Sequence, residues 1–133
     1  MTPPGSAAVD LATVVGSVTL PSPILTASGT SGHGAELAPY FDLSSLGAVV
    51  VKSLAAMPWE GNPPLRVHET TGGMINSVGL QGPGVEAWLE HDLPPLLTAG
   101  ARVVASIWGR TVAEYEAAAA LLAYAPTRWW PSR

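Results

Sequence analysis

Cysteine is absent from this sequence of 133 residues. Its absence excludes disulfides, thiolate zinc sites and iron–sulfur ligation by these residues, and it removes cysteine as a nucleophile. A reducing cytoplasm is therefore the expected location. The histidines His33, His68 and His91 have no H-x-x-x-H spacing and are expected to be loop or surface residues, so no metal site is predicted.

Charge is also scarce in this sequence. Charged residues make up 12% of it and apolar residues 47%, whereas roughly a quarter of an average domain is charged. The formal net charge is −4, and the five arginines and one lysine are scattered along the chain. Scattered cations in an acidic chain disfavour binding to a phosphate backbone, so no nucleic-acid partner is expected.

Long apolar runs are missing as well. None reaches the ~18 residues that a membrane-spanning helix requires, so no membrane association is expected. The N-terminus also lacks the basic region that begins a signal peptide. The length suits one domain, and residues 1–10, rich in proline, glycine and serine, are predicted to form a loose leader.

Short β-prone segments occupy the first half of the chain. Two of them flank Gly16 and predict a hairpin, and two others predict buried strands with a short helix between them. A second hairpin is predicted around Gly72–Gly73, within the long loop formed by residues 53–82. The strands of the first hairpin are Leu11–Val15 and Ser17–Leu20. The two buried strands are Ile24–Ala27 and Ala48–Val51, and the helix between them is Ala35–Tyr40.

From Val85 the apolar period becomes helical, and Pro94–Pro95 is expected to bend or end that helix. Arg102–Ile107 predicts a third buried strand. Thr111, with a glutamate three residues later, forms an S/T-x-x-E capping box that predicts a final helix through residue 123. Strands alternating with helices call for parallel pairing, in an open α/β sheet or a (β/α)8 TIM barrel, and the loops favour the barrel.

Lys52, the one lysine, directly follows the apolar run Ala48–Val51. Ligands of a barrel meet the residues that follow each strand, and a buried ammonium group is costly unless it meets an anion or acceptor. A lysine that snorkels to the surface is the alternative interpretation, and the residues alone leave both open. Neither a P-loop nor a dinucleotide-binding fingerprint surrounds it, because the glycine spacing is wrong for each.

The run Asn76–Gln81 is the second candidate, because an amide side chain offers a donor and an acceptor side by side. Gly79 would let backbone N–H groups approach an anion, although an ordinary turn has the same composition. The carboxylates most simply solvate helix faces, and no acid–base pair stands out among them. These carboxylates are Glu86, Glu90, Asp92, Glu114 and Glu116.

Several short motifs together resemble the class 1 dihydroorotate dehydrogenases, most densely the cytosolic 1B type, over about residues 11–124. The most specific is the run Asn76–Gln81 at its distance from Val51–Lys52–Ser53. The other motifs are Ala27–Ser28–Gly29–Thr30, Gly61–Asn62–Pro63, Arg66–Val67–His68–Glu69–Thr70, the glycine-rich flanks Gly73–Ile75 and Gly82–Gly84, and the strand Val103–Ile107.

The resemblance implies a (β/α)8 barrel that holds FMN at the carboxyl ends of its strands. It also implies oxidation of (S)-dihydroorotate to orotate in pyrimidine (UMP) biosynthesis. In the 1B type, electrons pass to a partner subunit carrying FAD and a [2Fe–2S] cluster, and full-length members can form homodimers. Alternatives are a related pyrimidine-reducing flavin barrel and a non-catalytic fragment that associates with another chain.

The resemblance also assigns roles to residues. Ala27, Ser28, Gly29, Lys52 and Ser53 would contact FMN, and Lys52 would also reach the substrate carboxylate. Ser106 stands where many relatives have an FMN-contacting asparagine, whose paired contacts one hydroxyl cannot reproduce. The residues that would bind dihydroorotate are Asn76, Ser77, Val78, Gly79 and Leu80.

Two departures from the family pattern shape the expectations. A barrel needs ~250 residues, so about three of eight strand–helix units are expected here. The family's cysteine base is not in this sequence, so the chain alone is expected to be an inactive fragment. Residues 125–133 match no part of the pattern, and a frameshift or truncated gene is the expected explanation.

Overall fold

A pair of parallel strands lies at the centre of the fold. The structure is a computed structural model and describes residues 9–124. The predicted leader and tail therefore lie almost wholly outside the described residues. The strands are β1 Thr13–Val15, β2 Val18–Leu20, β3 Val49–Val50, β4 Val67–Thr70, β5 Gly73–Asn76 and β6 Val103–Val104; the helices are α1 Val85–Ala87, α2 Leu93–Thr98 and α3 Val112–Ala123. A 3₁₀ turn covers Leu43–Ser45, and a π-helical turn, Trp88–Asp92, joins α1 to α2.

The parallel pair is β3 with β6, in which Val49 faces Val103. A single parallel bridge from Leu25 to Ala48 adds a segment beside β3, and one from Leu54 to Ile107 continues the pairing of β3 with β6 along the chain. Parallel pairing was predicted from the alternation of strands and helices, and it is confirmed. Residues 9–124 form a small α/β unit and contain no closed barrel.

Both predicted hairpins are confirmed. Strands β1 and β2 pair antiparallel around Gly16, whose φ of +60° suits glycine. Strands β4 and β5 pair antiparallel with Thr70 opposite Gly73. All eight strand residues of this second hairpin are exposed, so it projects from the rest of the structure.

Two predictions for the first half are wrong. Ile24–Ala27 is not a buried strand, because it makes one bridge and the side chains of Ile24 and Leu25 are 61% and 40% exposed. Ala35–Tyr40 forms successive turns rather than a helix, with Ala38 N donating to Ala35 O and Tyr40 N to Leu37 O. Pro39 has no N–H to continue a helical ladder, which accounts for the second difference.

The prolines Pro94 and Pro95 do not end the helical segment, which continues to Thr98. They occupy the first turn of α2, where a missing N–H is tolerated. The preceding turn widens instead, so that Leu93 N donates to Trp88 O, five residues back. A proline ring clashes with the carbonyl four residues earlier, and π-helical widening relieves this crowding.

Helix α3 begins as predicted, with Thr111 as its cap. The Thr111 hydroxyl accepts from Glu114 N at 3.2 Å. The Glu114 carboxylate accepts from Arg110 N, one residue before the cap, rather than from the cap itself. The first contact satisfies an N–H group that the helix start leaves free, and the second ties the preceding loop residue to the helix.

The core lies between the parallel layer and the helices. Trp88 and Val85 are fully buried there against Val51 and Leu54 of the strand side. Burying a side chain of this size contributes roughly 1.5–3 kcal/mol. The remaining buried core residues are Leu43, Val49, Leu93, Leu96, Ala101 and Ala118. No helix within residues 9–124 is long and apolar enough to cross a membrane.

Candidate functional site

Three serine hydroxyls meet at the carboxyl ends of the parallel segments. Ser53 Oγ lies 3.2 Å from Ser28 Oγ and 2.8 Å from Ser106 Oγ. A hydroxyl can donate one hydrogen bond and accept others, so the three form a continuous chain with capacity left for a ligand. We call this set, Ser28, Ser53 and Ser106, the serine chain. Three residues predicted to contact a flavin are therefore neighbours.

Ala27 and Gly29 flank the first of these serines in a tight turn. Thr30 closes the turn, because its backbone N–H and its hydroxyl both donate to Ala27 O, at 3.1 and 2.6 Å. Gly29 has a φ of +84°, a conformation that favours glycine, and it lines the neighbouring cleft. The turn holds both predicted residues at the end of the Leu25 segment.

Lys52 is half-buried and lines a cleft of about 830 Å³ beside the serine chain. Its backbone N–H donates to Gly32 O at 3.0 Å, which fixes the strand end against the loop that follows the first segment. The salt-bridge contact found within residues 9–124 is between His91 Nε2 and Glu90 at 3.8 Å, and none there involves Lys52. The Lys52 ammonium group is thus available to an anionic ligand. The cleft, called the Lys52 cleft below, is lined also by Gly29, Gly32, His33, Glu36, Pro58, Trp59, Glu60, Gln81, Gly82, Pro83 and Asp92.

His33 lies in a loop, as expected, but it is partly buried at the Lys52 cleft; Asp92 is partly buried there too, which corrects the expectation of a solvated helix carboxylate. Burial lowers the pKa of His33, and the positive charge of Lys52 lowers it further, against the opposing effect of Asp92 and Glu36. Burial raises the pKa of Asp92. Sequence periodicity could not reveal this, because the two residues come from segments far apart in the chain. No group of three or more potential metal ligands occurs within the described part of the chain.

Buried Trp88 fixes the His33 loop. Its indole Nε1 donates to His33 O at 2.7 Å. The Glu36 carboxylate accepts from the backbone N–H groups of His33 and Gly34, at 3.2 and 2.8 Å. The core therefore positions one wall of the Lys52 cleft through this tryptophan.

In the run Asn76–Gln81, three consecutive carbonyl groups point toward the segment Trp59–Asn62. Ser77 O accepts from Asn62 Nδ2 at 3.0 Å, and Val78 O accepts from Asn62 N at 3.0 Å. Gly79 O accepts from Trp59 Nε1 at 2.8 Å. In a trans peptide the N–H points opposite to the C=O of the same plane. The next three N–H groups, those of Val78, Gly79 and Leu80, consequently point away from the Trp59–Asn62 segment.

These three N–H groups donate no hydrogen bond to any atom of residues 9–124. Gly79 and Leu80 both have positive φ, +77° and +58°. Consecutive residues in unusual backbone conformations that leave N–H groups pointing outward form anion-binding concavities in many proteins. The geometry leaves these N–H groups free to donate, and their binding to a substrate stays a prediction.

Asn76 and Ser77 are exposed and line a separate depression of about 210 Å³ on the second hairpin. They do not line the Lys52 cleft, whereas Gln81 and Gly82 of the same loop do. None of the five residues predicted to bind substrate, Asn76–Leu80, therefore lines the Lys52 cleft in this structure, although the residue that follows them, Gln81, does.

Arg66 and Trp59 were not singled out by the sequence, yet they shape the loop. Arg66 Nε donates to Asn62 O at 2.6 Å and Nη2 donates to Glu60 O at 3.1 Å. Arg66 Nη1 also donates to Gln81 Oε1. Trp59 pairs with Gly82 through two backbone hydrogen bonds of 2.9 Å. The contacts of Arg66 with Gln81 and of Trp59 with Gly79 span 15 and 20 residues, so no local sequence pattern reveals them.

Comparison with known proteins places these features in a family context. The family described as Dihydroorotate dehydrogenase matches residues 10–127. Several curated relatives are named dihydroorotate dehydrogenase B (NAD(+)), catalytic subunit. That from Alkaliphilus metalliredigens is 49% identical over 107 residues, and that from Desulforudis audaxviator is 52% identical over 107 residues; each match covers 80% of this chain and 35% of the relative. That from Geobacter sp. strain M21 is 43% identical over 113 residues, 85% of this chain and 37% of the relative. The chain therefore matches about a third of the length of these relatives.

Proposed function

Because this chain belongs to the dihydroorotate dehydrogenase family, we propose that residues 11–124 form the flavin-contacting part of an FMN-dependent dihydroorotate dehydrogenase. The whole enzyme would be a (β/α)8 barrel that oxidises (S)-dihydroorotate to orotate in pyrimidine biosynthesis. The observation that carries the proposal is the serine chain beside Lys52, at the carboxyl ends of parallel segments. Barrel enzymes build their active sites at this end of the sheet.

The donor set suits FMN. The hydroxyl groups of Ser28, Ser53 and Ser106 can each donate to or accept from the polar edge of a flavin ring. Lys52 places a cation beside them, which would stabilise negative charge on the ring. When bound, FMN would supply the acceptor for the electron pair removed from dihydroorotate.

The substrate has a carboxylate and a cyclic imide, and the chain offers groups for both. The outward N–H groups of Val78, Gly79 and Leu80 are donors for an anion or a carbonyl oxygen. Lys52 would bind the carboxylate as a charged donor, and Asn76 would contribute its amide. Ser77 completes the proposed substrate set.

The resemblance implies a cysteine as the proton acceptor, and this sequence contains no cysteine. We therefore propose that the proton acceptor belongs to another part of the whole enzyme. The relatives are named catalytic subunits of a B-type, NAD(+)-linked enzyme. From the similarity to these relatives, we propose that the partner is an electron-transfer subunit that carries FAD and a [2Fe–2S] cluster. We also propose that the catalytic subunit forms a homodimer.

A titration of the purified chain with FMN, followed by flavin fluorescence, tests the proposal. We expect saturable quenching with one FMN per chain. Lys52→Met should raise the Kd at least about tenfold, because a hydrogen bond to a charged group is lost. An equal Kd for both proteins would remove Lys52 from the flavin site, and no saturable quenching by the wild-type chain would refute flavin binding by these residues.

A second candidate is association with another chain without catalysis. It is favoured by the exposure of Ile24 and Val104, which are 61% and 44% exposed although they lie in or beside the parallel layer. A bare apolar strand face favours contact with other protein surfaces. The oligomeric state, treated below, tests this candidate separately.

A further inference from the structure

Trp59 connects three parts of the site. Its indole Nε1 donates to Gly79 O at 2.8 Å, and its backbone pairs with Gly82. The Arg110 guanidinium lies 3.9 Å from the centroid of its ring, and the Trp108 ring meets it edge-on at 6.3 Å. Arg110 and Trp108 belong to the loop between β6 and α3. The loop between β6 and α3 therefore contacts the Trp59 indole through Arg110 and Trp108. The indole Nε1 in turn holds Gly79, in the loop that carries the candidate substrate residues Asn76–Leu80.

The hydrogen bond to Gly79 O determines the direction of one particular N–H. Gly79 O and Leu80 N–H belong to the same peptide plane, so fixing the carbonyl toward Trp59 directs the N–H away from it. Leu80 has a φ of +58°, which a non-glycine side chain seldom adopts without outside support. The indole contact supplies that support.

We infer that Trp59 is a positioning residue, which orients the Gly79–Leu80 peptide so that its N–H faces an anionic pyrimidine ligand. The inference rests on the proposed function for the identity of the ligand. Trp59 does not touch that ligand through Nε1, because this N–H is already donated to Gly79 O. Its effect is transmitted through the backbone, and the stack with Arg110 keeps the ring from rotating away.

Trp59→Phe is the most selective substitution for testing the hydrogen bond from Nε1 to Gly79 O. It retains a ring for Arg110 and removes only the indole part that holds Gly79 O. Trp108→Phe is the matched control, because Trp108 Nε1 is buried but has no hydrogen-bond partner. The two variants make the same chemical change at contacting aromatic rings, and only one of them breaks a hydrogen bond.

Two readouts on the full chain distinguish the inference from its premise. The first is the Kd for orotate and, separately, for FMN. We expect Trp59→Phe to raise the orotate Kd about three- to tenfold, a larger factor than any change in the FMN Kd, and Trp108→Phe to change neither. A general loss of structure would weaken both ligands together.

The second readout needs no ligand. Backbone ¹⁵N relaxation of Leu80 should show greater mobility in Trp59→Phe than in wild type or Trp108→Phe. Unchanged Leu80 mobility in folded Trp59→Phe overturns the inference, as does an unchanged orotate Kd. If the wild-type chain does not bind orotate, the proposed function fails at that point, and Leu80 mobility alone decides whether Trp59 positions the peptide.

Discussion

At the scale of single residues, His33 and Asp92 have shifted pKa values in a shared cleft. Burial lowers the pKa of His33 below its ordinary 6.5 and raises that of Asp92 above its ordinary 3.8. Both shifts favour the uncharged form. The stability that His33 contributes is present above pH 6.5 and is lost as the pH falls through its lower folded value. For Asp92 it is present below pH 3.8 and is lost as the pH rises through its raised folded value.

His33→Phe should therefore reduce the acid sensitivity of folding. As the pH falls below 6.5, the unfolded wild-type chain binds a proton that the folded chain resists, so its free energy of unfolding decreases. The variant lacks this proton uptake and should lose less stability over the same interval. Removing the imidazole breaks no hydrogen bond of Nε2, which is buried without a partner.

Urea unfolding at several pH values measures the effect. His68→Phe is the control, because His68 lies on the exposed strand β4. It should retain the wild-type pH dependence. If His33→Phe loses as much stability as wild type on acidification, burial of His33 does not control this dependence.

Single residues also show what sequence can and cannot reveal. Lys52 was identifiable because it is the one lysine and follows an apolar run. The serines were identified by resemblance, and the structure makes neighbours of them. His33 and Trp59 were missed, since their importance comes from partners distant in sequence, such as Asp92 for the first and Gly79 for the second.

At the scale of elements, the candidate substrate loop depends on close packing against the Trp59–Asn62 segment. A Cβ at Gly79 would lie 2.6 Å from Asn62 N, too close for any side chain. Gly79 also has a φ of +77°. Glycine is thus required there for two reasons, backbone conformation and contact.

Gly72 provides a matched comparison for Gly79. It has the same φ of +77°, but a Cβ there would meet nothing within 4 Å. Gly72→Ala should cost about 1 kcal/mol for the left-handed conformation alone. Gly79→Ala should cost about 3 kcal/mol, because the loop must also move away from Asn62.

Thermal or urea unfolding of both variants measures the difference, and orotate binding supplies a second comparison. Gly72→Ala should bind orotate as wild type does, whereas Gly79→Ala should bind it at least about tenfold more weakly. Equal stabilities for the two variants would show that the contact with Asn62 is unimportant.

Elements differed in how well the sequence predicted them. The hairpins and the start of α3 were predicted because their signals are local: glycine at a turn and a threonine cap. Ala35–Tyr40 failed as a helix because Pro39 interrupts the ladder. The π-helical turn before Pro94 was not foreseen, since widening of a turn depends on how the following prolines pack.

At the scale of the whole molecule, apolar exposure should control association. Ile24 is 61% exposed and Leu25 40% exposed beside the parallel layer. We expect the chain to self-associate at micromolar concentration, and Ile24→Lys to shift it toward monomer, because a charge in an apolar contact is strongly disfavoured. Val9→Lys is the control, at a position that is 79% exposed and outside this layer.

Sedimentation velocity over a concentration series measures this prediction. A wild-type chain that is monomeric at every concentration would argue against association through this face. Loss of association in both lysine variants would show that net charge, rather than the Ile24 face, is responsible.

The overall architecture was predictable only in part. The α/β class and the parallel pairing follow from the order of short segments, and β3 with β6 confirms them. A closed barrel remains a proposal drawn from the family, because residues 9–124 contain no closed barrel. Local signals identify elements, whereas closure depends on strands that must meet over a long stretch of chain.

Under the proposed function, the Lys52 cleft and the serine chain beside it would hold FMN and a pyrimidine carboxylate together. The most direct test is the visible absorption spectrum of the FMN-saturated chain during titration with orotate. We predict a saturable spectral change in wild type, at least about tenfold weaker in affinity in Lys52→Met. A flavin spectrum that orotate leaves unchanged would contradict the account.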